Sequence, residues 1–143
     1  EGFASLSTTF WTSPVEDNAF ALLRTRKGQT AFFHVSWTQW KNLFSFEIFG
    51  TEGFVSVEGL GGSYGVERAI IARRPVCFEP FSEQVVEFRG DDVSWREEWR
   101  EVLNAIKDDR RPLGDGHDGY ESLKIAYGLY ESARCGRLVR IAQ

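Results

Sequence analysis

Over the first two thirds of the chain, apolar positions fall into short runs rich in β-branched and aromatic residues, separated by turn residues. Ser5 to Trp11 is the first such run, and Thr12-Ser13-Pro14 closes it. Asn18 to Arg26 and Gln29 to Trp37 flank Lys27-Gly28, the composition of a tight hairpin turn. Leu43 to Phe49 and Phe54 to Glu58 flank Gly50-Thr51-Glu52-Gly53 and predict a second hairpin. Val66 to Arg73 and Gln84 to Phe88 complete the set, split by a loop over Pro75 to Pro80. Strands joined by turns this short pair antiparallel.

In the last third the period changes. Ser94 and Glu97 have capping-box spacing, and Trp95, Trp99, Val102, Leu103 and Ile106 then recur as one helical stripe. Arg110-Arg111-Pro112 ends that helix. A second helix begins near Asp118, carries Leu123, Ala126, Tyr127, Tyr130 and Ala133 on one side, and ends at the C-cap Gly136. Leu138 to Ile141 reads as a last short strand. Strands first and helices afterwards predict a single α+β domain: a large, mostly antiparallel open sheet with two main C-terminal helices on one face.

Two helices cover only one face of such a sheet, yet the strands are apolar on both. Phe44, Phe46 and Ile48 oppose Leu43 and Phe49, and Ala31, Phe33, Val35 and Trp37 oppose Phe32 and His34. An uncovered apolar face implies a partner surface, with a symmetric dimer as the simplest solution. Which set of the Gln29 to Trp37 run faces outward is left open by the pattern.

Composition narrows the class. The chain has 143 residues, of which 42% are hydrophobic and 27% charged, as in globular domains. Twelve Phe, five Trp and four Tyr fit a β-rich domain with a large core or interface. A net charge of -4 with no basic stripe argues against nucleic acid. No apolar run approaches the roughly 18 residues that cross a bilayer. Cys77 and Cys135 form no metal or redox motif and read as two free thiols in a reducing cytoplasm. The start at Glu1-Gly2-Phe3 and the lack of any Met suggest a fragment of a longer protein.

Several motifs invite chemistry. In Gly59-Leu60-Gly61-Gly62-Ser63-Tyr64-Gly65 the third position of a G-x-G-x-x-G pattern is Tyr64, and a strand follows, so an inter-strand loop is expected and not a pyrophosphate cradle. His34 sits mid-strand and reads as a packed or interface residue. His117 lies in Gly114-Asp115-Gly116-His117-Asp118-Gly119, where free N–H groups at a helix start would favour an oxygen-rich or anionic ligand. Trp37-Thr38-Gln39-Trp40-Lys41-Asn42 offers aromatic faces beside amide and ammonium donors, the mixture that holds sugars. Trp37, Gln39, Trp40, Lys41 and His117 are therefore the candidate substrate contacts. No nucleophile–base arrangement occurs, no metal set is present, and no catalytic residue is assigned.

The order of motifs resembles a known family. Glu16-Asp17-Asn18-Ala19 leads a strand, and Gly50-Thr51-Glu52-Gly53-Phe54 forms a hairpin. Trp95-x-x-Glu98, Asp118-Gly119 and Tyr130-Glu131-Ser132-Ala133-x-x-Gly136-Arg137 follow. Set in this order from about residue 5 to 141, they resemble the C-terminal domain of the Gfo/Idh/MocA oxidoreductases, named for glucose-fructose oxidoreductase and inositol dehydrogenase. The resemblance implies that residues 1–143 are a substrate-binding and oligomerisation domain whose N-terminal Rossmann domain is missing. It implies NAD or NADP for the full-length protein, none of it held by this chain. It further implies a sugar, cyclitol or nucleotide-sugar substrate, a cytoplasmic location and a homo-oligomer through the open sheet face. The family's nucleotide fingerprint, Glu-Lys-Pro lysine and Asp-x-x-x-His helix have no match here; Glu79-Pro80 lacks the lysine. A stand-alone β-sheet module for dimerisation or small-ligand binding is the alternative, with an unrelated small α+β enzyme behind it.

Overall fold

The computed structural model describes residues 1–60, 64–73 and 82–141. The centre of the Gly59 to Gly65 loop, the Pro75 to Pro80 segment and Cys77 lie outside the described residues. Within them the order is β1 (Gly2–Ser7), β2 (Asn18–Arg24), β3 (Thr30–Ser36), β4 (Ser45–Phe49), β5 (Gly53–Glu58), β6 (Glu67–Arg73), β7 (Ser82–Phe88), α1 (Ser94–Lys107) and α2 (Gly116–Cys135). The class is α+β, and each ladder among the described residues is antiparallel.

The strands form two sheets where one wide sheet was expected, with orders β1-β2-β3 and β4-β5-β6-β7. No ladder joins β3 to β4 among the described residues: residues 37–44 are irregular, and the ladder of β4 is with β5. The chain accordingly divides into two compact units, Glu1–Gln39 with Glu101–Gln143, and Trp40–Arg100.

In the first unit, the register places Ala4 opposite Ala21 and Ala21 opposite Phe33, so these three share one face. That face packs with Leu23 against Leu129 and Ala133 of α2. Ser132 is fully buried; its hydroxyl accepts the Ala4 N–H at 3.0 Å and donates to the Arg137 carbonyl at 2.7 Å. Gly136 ends α2 at φ 65°, a left-handed conformation that glycine adopts without strain, and its N–H reaches the Ser132 carbonyl at 2.8 Å. The expected last strand is reduced to one bridge, Val139 to Gly2. The opposite face exposes Phe3, Phe20, Leu22 and Phe32. The outward set of β3 is thus the one holding Phe32, 70% exposed, while Phe33 joins the core.

The helices depart from expectation. Among the described residues, only α2 makes an extensive contact with a strand, β1. The stripe of α1 stays open, with Trp95 80%, Trp99 63% and Ile106 73% exposed; of its residues only Ala105 is buried. The packed side of α2 holds Leu129 and Ser132, so Leu123, Tyr127 and Tyr130 of the expected stripe are exposed. Apolar residues on two sides of a helix leave the period unable to choose between them. The capping box expected at Ser94 does not form: Asp92 accepts the Ser94 N–H at 2.9 Å, and Glu97 pairs with Arg100 at 2.7 Å. A capping box does open α2, between Asp115 and Asp118.

In the second unit, Phe46 and Ile48 share a face with Val55, Val57, Ala69, Ile71 and Val86, an apolar band across all four strands. Phe46, Ile48, Val55, Ile71 and Val86 are all exposed. The reverse face is mixed: Ser45, Glu47, Ser56, Glu58, Arg68 and Glu87 share it with Phe49, Phe54, Ile70 and Val85, and Arg68 Nε donates to Glu58 at 2.7 Å. Gly53 is required by close approach, since a Cβ there would lie 2.0 Å from the Ala72 carbonyl oxygen.

Candidate functional site

Antiparallel order brings the C-terminal ends of β1 and β3 and the start of β2 to one end of the first sheet. Asp17, just before β2, is buried there. Its carboxylate accepts the N–H groups of Thr9 at 2.9 Å, Phe10 at 2.8 Å and Trp11 at 3.0 Å, and the Asn18 amide at 2.9 Å. Burial alone would raise the pKa of this carboxyl. The N–H groups of Trp11, Phe10 and Thr9 and the Asn18 amide outweigh it and hold the group well below the usual carboxylate range.

This capture explains why β1 is displaced from Ser5–Trp11 to Gly2–Ser7. Thr9, Phe10 and Trp11 give their N–H groups to one side chain and not to a ladder. The other strand end is tied to the same point. The Trp37 N–H donates to the Asp17 carbonyl at 2.8 Å, and Asn18 Nδ2 donates to Thr38 Oγ1 at 3.0 Å. Trp11 Nε1 reaches the Trp37 carbonyl at 3.4 Å, and Phe10 meets Trp11 edge to face at 5.1 Å. On the same loop, Glu16 accepts a hydrogen bond from the Tyr130 hydroxyl of α2, which raises the Tyr130 pKa.

The expected substrate contacts are placed as follows. Trp37 is 78% exposed at the end of β3. Gln39 lies within 3.4 Å of His34 Nδ1 through its amide nitrogen, and His34 stacks on Phe20 at 4.2 Å. Trp40 and Lys41 are exposed in the irregular segment that follows. His117 is exposed in the first turn of α2. The N–H groups expected to await a ligand there are already used: Asp115 accepts those of His117 at 2.8 Å and Asp118 at 3.1 Å. No hydrogen bond or ring contact among the described residues joins His117 to Trp37 or Gln39. Among the described residues no group of acidic, His and Cys side chains is disposed to hold a metal. Asp17 is not among the residues expected for the site; an Asp immediately before β2 and a Ser/Thr run at the end of β1 were the available signals.

Residues 1–56 match the GFO/IDH/MocA C-terminal domain. No curated protein matches the chain. Among solved structures, the WlbA dehydrogenase from Bordetella pertussis, determined with NADH and UDP-GlcNAcA, shares the fold at a TM-score of 0.65 and 24% identity, over 99% of this chain and 38% of that one. An NAD-binding protein from Listeria innocua does so at 0.63 and 21% identity, over 97% and 40%. The chain thus spans well under half the length of either. Residues 1–56 thus carry the likeness to the GFO/IDH/MocA C-terminal domain, and the fold of these two proteins is shared along nearly the whole chain.

Proposed function

We propose that this chain is the C-terminal domain of an NAD(P)-dependent oxidoreductase acting on a sugar, cyclitol or nucleotide sugar, where it supplies one wall of the substrate pocket and a subunit interface. The observation that carries the reading is the fold shared over 99% of the chain with a dehydrogenase solved with NADH and a nucleotide sugar. The candidate wall residues are Trp37, Gln39 and His117 of the first unit and Trp40 and Lys41 of the second, and the candidate interface is the open apolar sheet faces. A cytoplasmic location goes with this reading; among the described residues no helix is long and apolar enough to cross a membrane.

The described residues do not suit the dinucleotide itself. Pyrophosphate binding of the Rossmann kind needs a strand, a glycine loop and a helix leading to a parallel strand. Among the described residues all ladders are antiparallel, and α1 and α2 follow the strands instead of connecting them. Hydride chemistry is therefore assigned to a Rossmann domain outside this chain, and no step is derived for it here. The open face of the second sheet also suits the alternative of a stand-alone dimerisation module.

Calorimetric titration of the chain with NAD(H) and NADP(H) tests the division of labour. No saturable binding tighter than roughly millimolar is expected. Binding in that range would overturn it. An upstream coding sequence with a G-x-G-x-x-G near its start separates the oxidoreductase from the stand-alone module.

A further inference from the structure

The indoles at the end of the first sheet have an unusual combination of properties: they are exposed, and they are held. Phe10, Trp11 and Trp37 are 72%, 53% and 78% exposed, so none is there to fill the core. Yet the two segments bearing them are fixed by the same residue. The Asp17 carboxylate takes the N–H groups of Thr9, Phe10 and Trp11, and the Asp17 carbonyl takes the N–H of Trp37. Asn18 extends the tie to Thr9 Oγ1 at 3.2 Å and Thr38 Oγ1 at 3.0 Å. A buried carboxylate with this many donors is a rigid anchor, because releasing it would strand several polar groups. The same strand-end segments carry the Glu16 carboxylate, which accepts from the Tyr130 hydroxyl, and the Gln39 amide beside His34.

We propose that Trp11 and Trp37 form a paired-indole platform that takes the apolar ring face of a pyranose, with Asp17 as the positioning residue that holds both indoles ready. This deepens the substrate-wall reading above and rests on it; Trp11 and Asp17 are the additions. A pyranose has C–H groups on one face and hydroxyls around its rim. Indole faces match the first, and carboxylate, amide and hydroxyl groups match the second. Holding aromatic side chains before the ligand arrives removes an ordering cost that would otherwise weaken binding.

The test is an NMR titration of the ¹⁵N-labelled chain, following the indole Nε1–H signals, with each tryptophan assigned by its Trp→Phe variant. The probes are methyl β-glucopyranoside, N-acetylglucosamine and, for nucleobase stacking, uridine. Sugar at concentrations well above the roughly millimolar range should shift Trp11 and Trp37 together and leave Trp95 and Trp99 unmoved. Trp11→Ala should weaken that binding at least tenfold without changing the melting temperature. Asp17→Asn should broaden both indole signals and weaken binding as well, a readout that mere loss of stability would not give.

Shifts at Trp40 with none at Trp11 or Trp37 would overturn the platform while leaving the substrate-wall reading intact. A response to uridine but not to sugars would overturn the pyranose assignment. No indole response to any probe would overturn the platform outright, whereas the oxidoreductase reading stands or falls separately on the upstream sequence.

Discussion

The two sheets differ in how far the chain itself completes them. The first has a helix laid on one face, and Ala4, Ala21 and Leu129 are buried between them. It also has two buried polar anchors, Ser132 under the helix and Asp17 at the strand ends. The second sheet carries Phe46, Ile48, Val55, Val57, Ala69, Ile71 and Val86 on one side, and mixes Ser45, Glu47, Glu58 and Glu87 with Phe49, Phe54, Ile70 and Val85 on the other. Nothing among the described residues of its own unit covers the apolar side, where Phe46 and Ile48 are each 56% exposed. The same alternating pattern therefore has two outcomes. Alternation marks a face as apolar; it does not specify whether the same chain covers it.

Charge placed on each sheet should expose the difference most strongly. Phe33→Asp puts a carboxylate beside Ala21 and Leu129, where no donor compensates it, and should cost roughly 3 kcal/mol. In a chain of this size that lowers the melting temperature by about 10 °C, read by circular dichroism. Ile48→Asp, on the open face of the second sheet, should leave the melting temperature of the monomer nearly unchanged.

A smaller effect is expected inside the first unit. Ser132→Ala strands the Ala4 N–H and the Arg137 carbonyl in a site with no solvent access, which costs roughly 2 kcal/mol. Urea unfolding should show a lower midpoint with an unchanged slope. A change of less than about 0.5 kcal/mol would mean that the helix is held by apolar contact alone.

These elements also show how much was legible in the chain. Strand periods, both hairpins, the Gly136 cap and the α+β order follow from local residue chemistry, and each stands within a few residues of expectation. The helix faces did not follow, because Leu123 and Tyr127 are as apolar as Leu129, and only the sheet decides which side it receives. The division into two sheets hangs on residues 37–44, expected as a connection between two strands; such a segment does not say whether the strands it links pair with each other, and here no ladder joins them among the described residues. Of the candidate site, Trp37 and Gln39 were found from composition. Asp17 was missed because its role is collective: Thr9, Phe10 and Trp11 become a loop only once one carboxylate gathers their N–H groups.

The acid side gives the mildest test. The folded-state pKa of Asp17 is depressed, and that of Glu101 is lowered to about 2 by the Arg110 guanidinium and the Leu113 N–H. A depressed carboxylate adds stability that is fully present above its unfolded value near 4 and is lost as pH falls toward the folded value. The melting temperature should therefore be flat from about pH 7 to pH 5 and fall below about pH 4. Asp17→Asn should lower it by several degrees at neutral pH and flatten the acid slope. A melting temperature indifferent to pH between about 5 and 2 would contradict the role given to the anchor.

The central claim is that the second sheet is completed by a partner, with a second copy as the expected one. Sedimentation velocity of the chain at micromolar concentration tests it most directly, with Ile48→Asp run beside it. The account predicts a dimer for the unaltered chain and a folded monomer for the variant, since an interface of standard size cannot bury an unpaired carboxylate at its centre without large loss. A clean monomer for the unaltered chain, or a dimer that Ile48→Asp leaves intact, would contradict it.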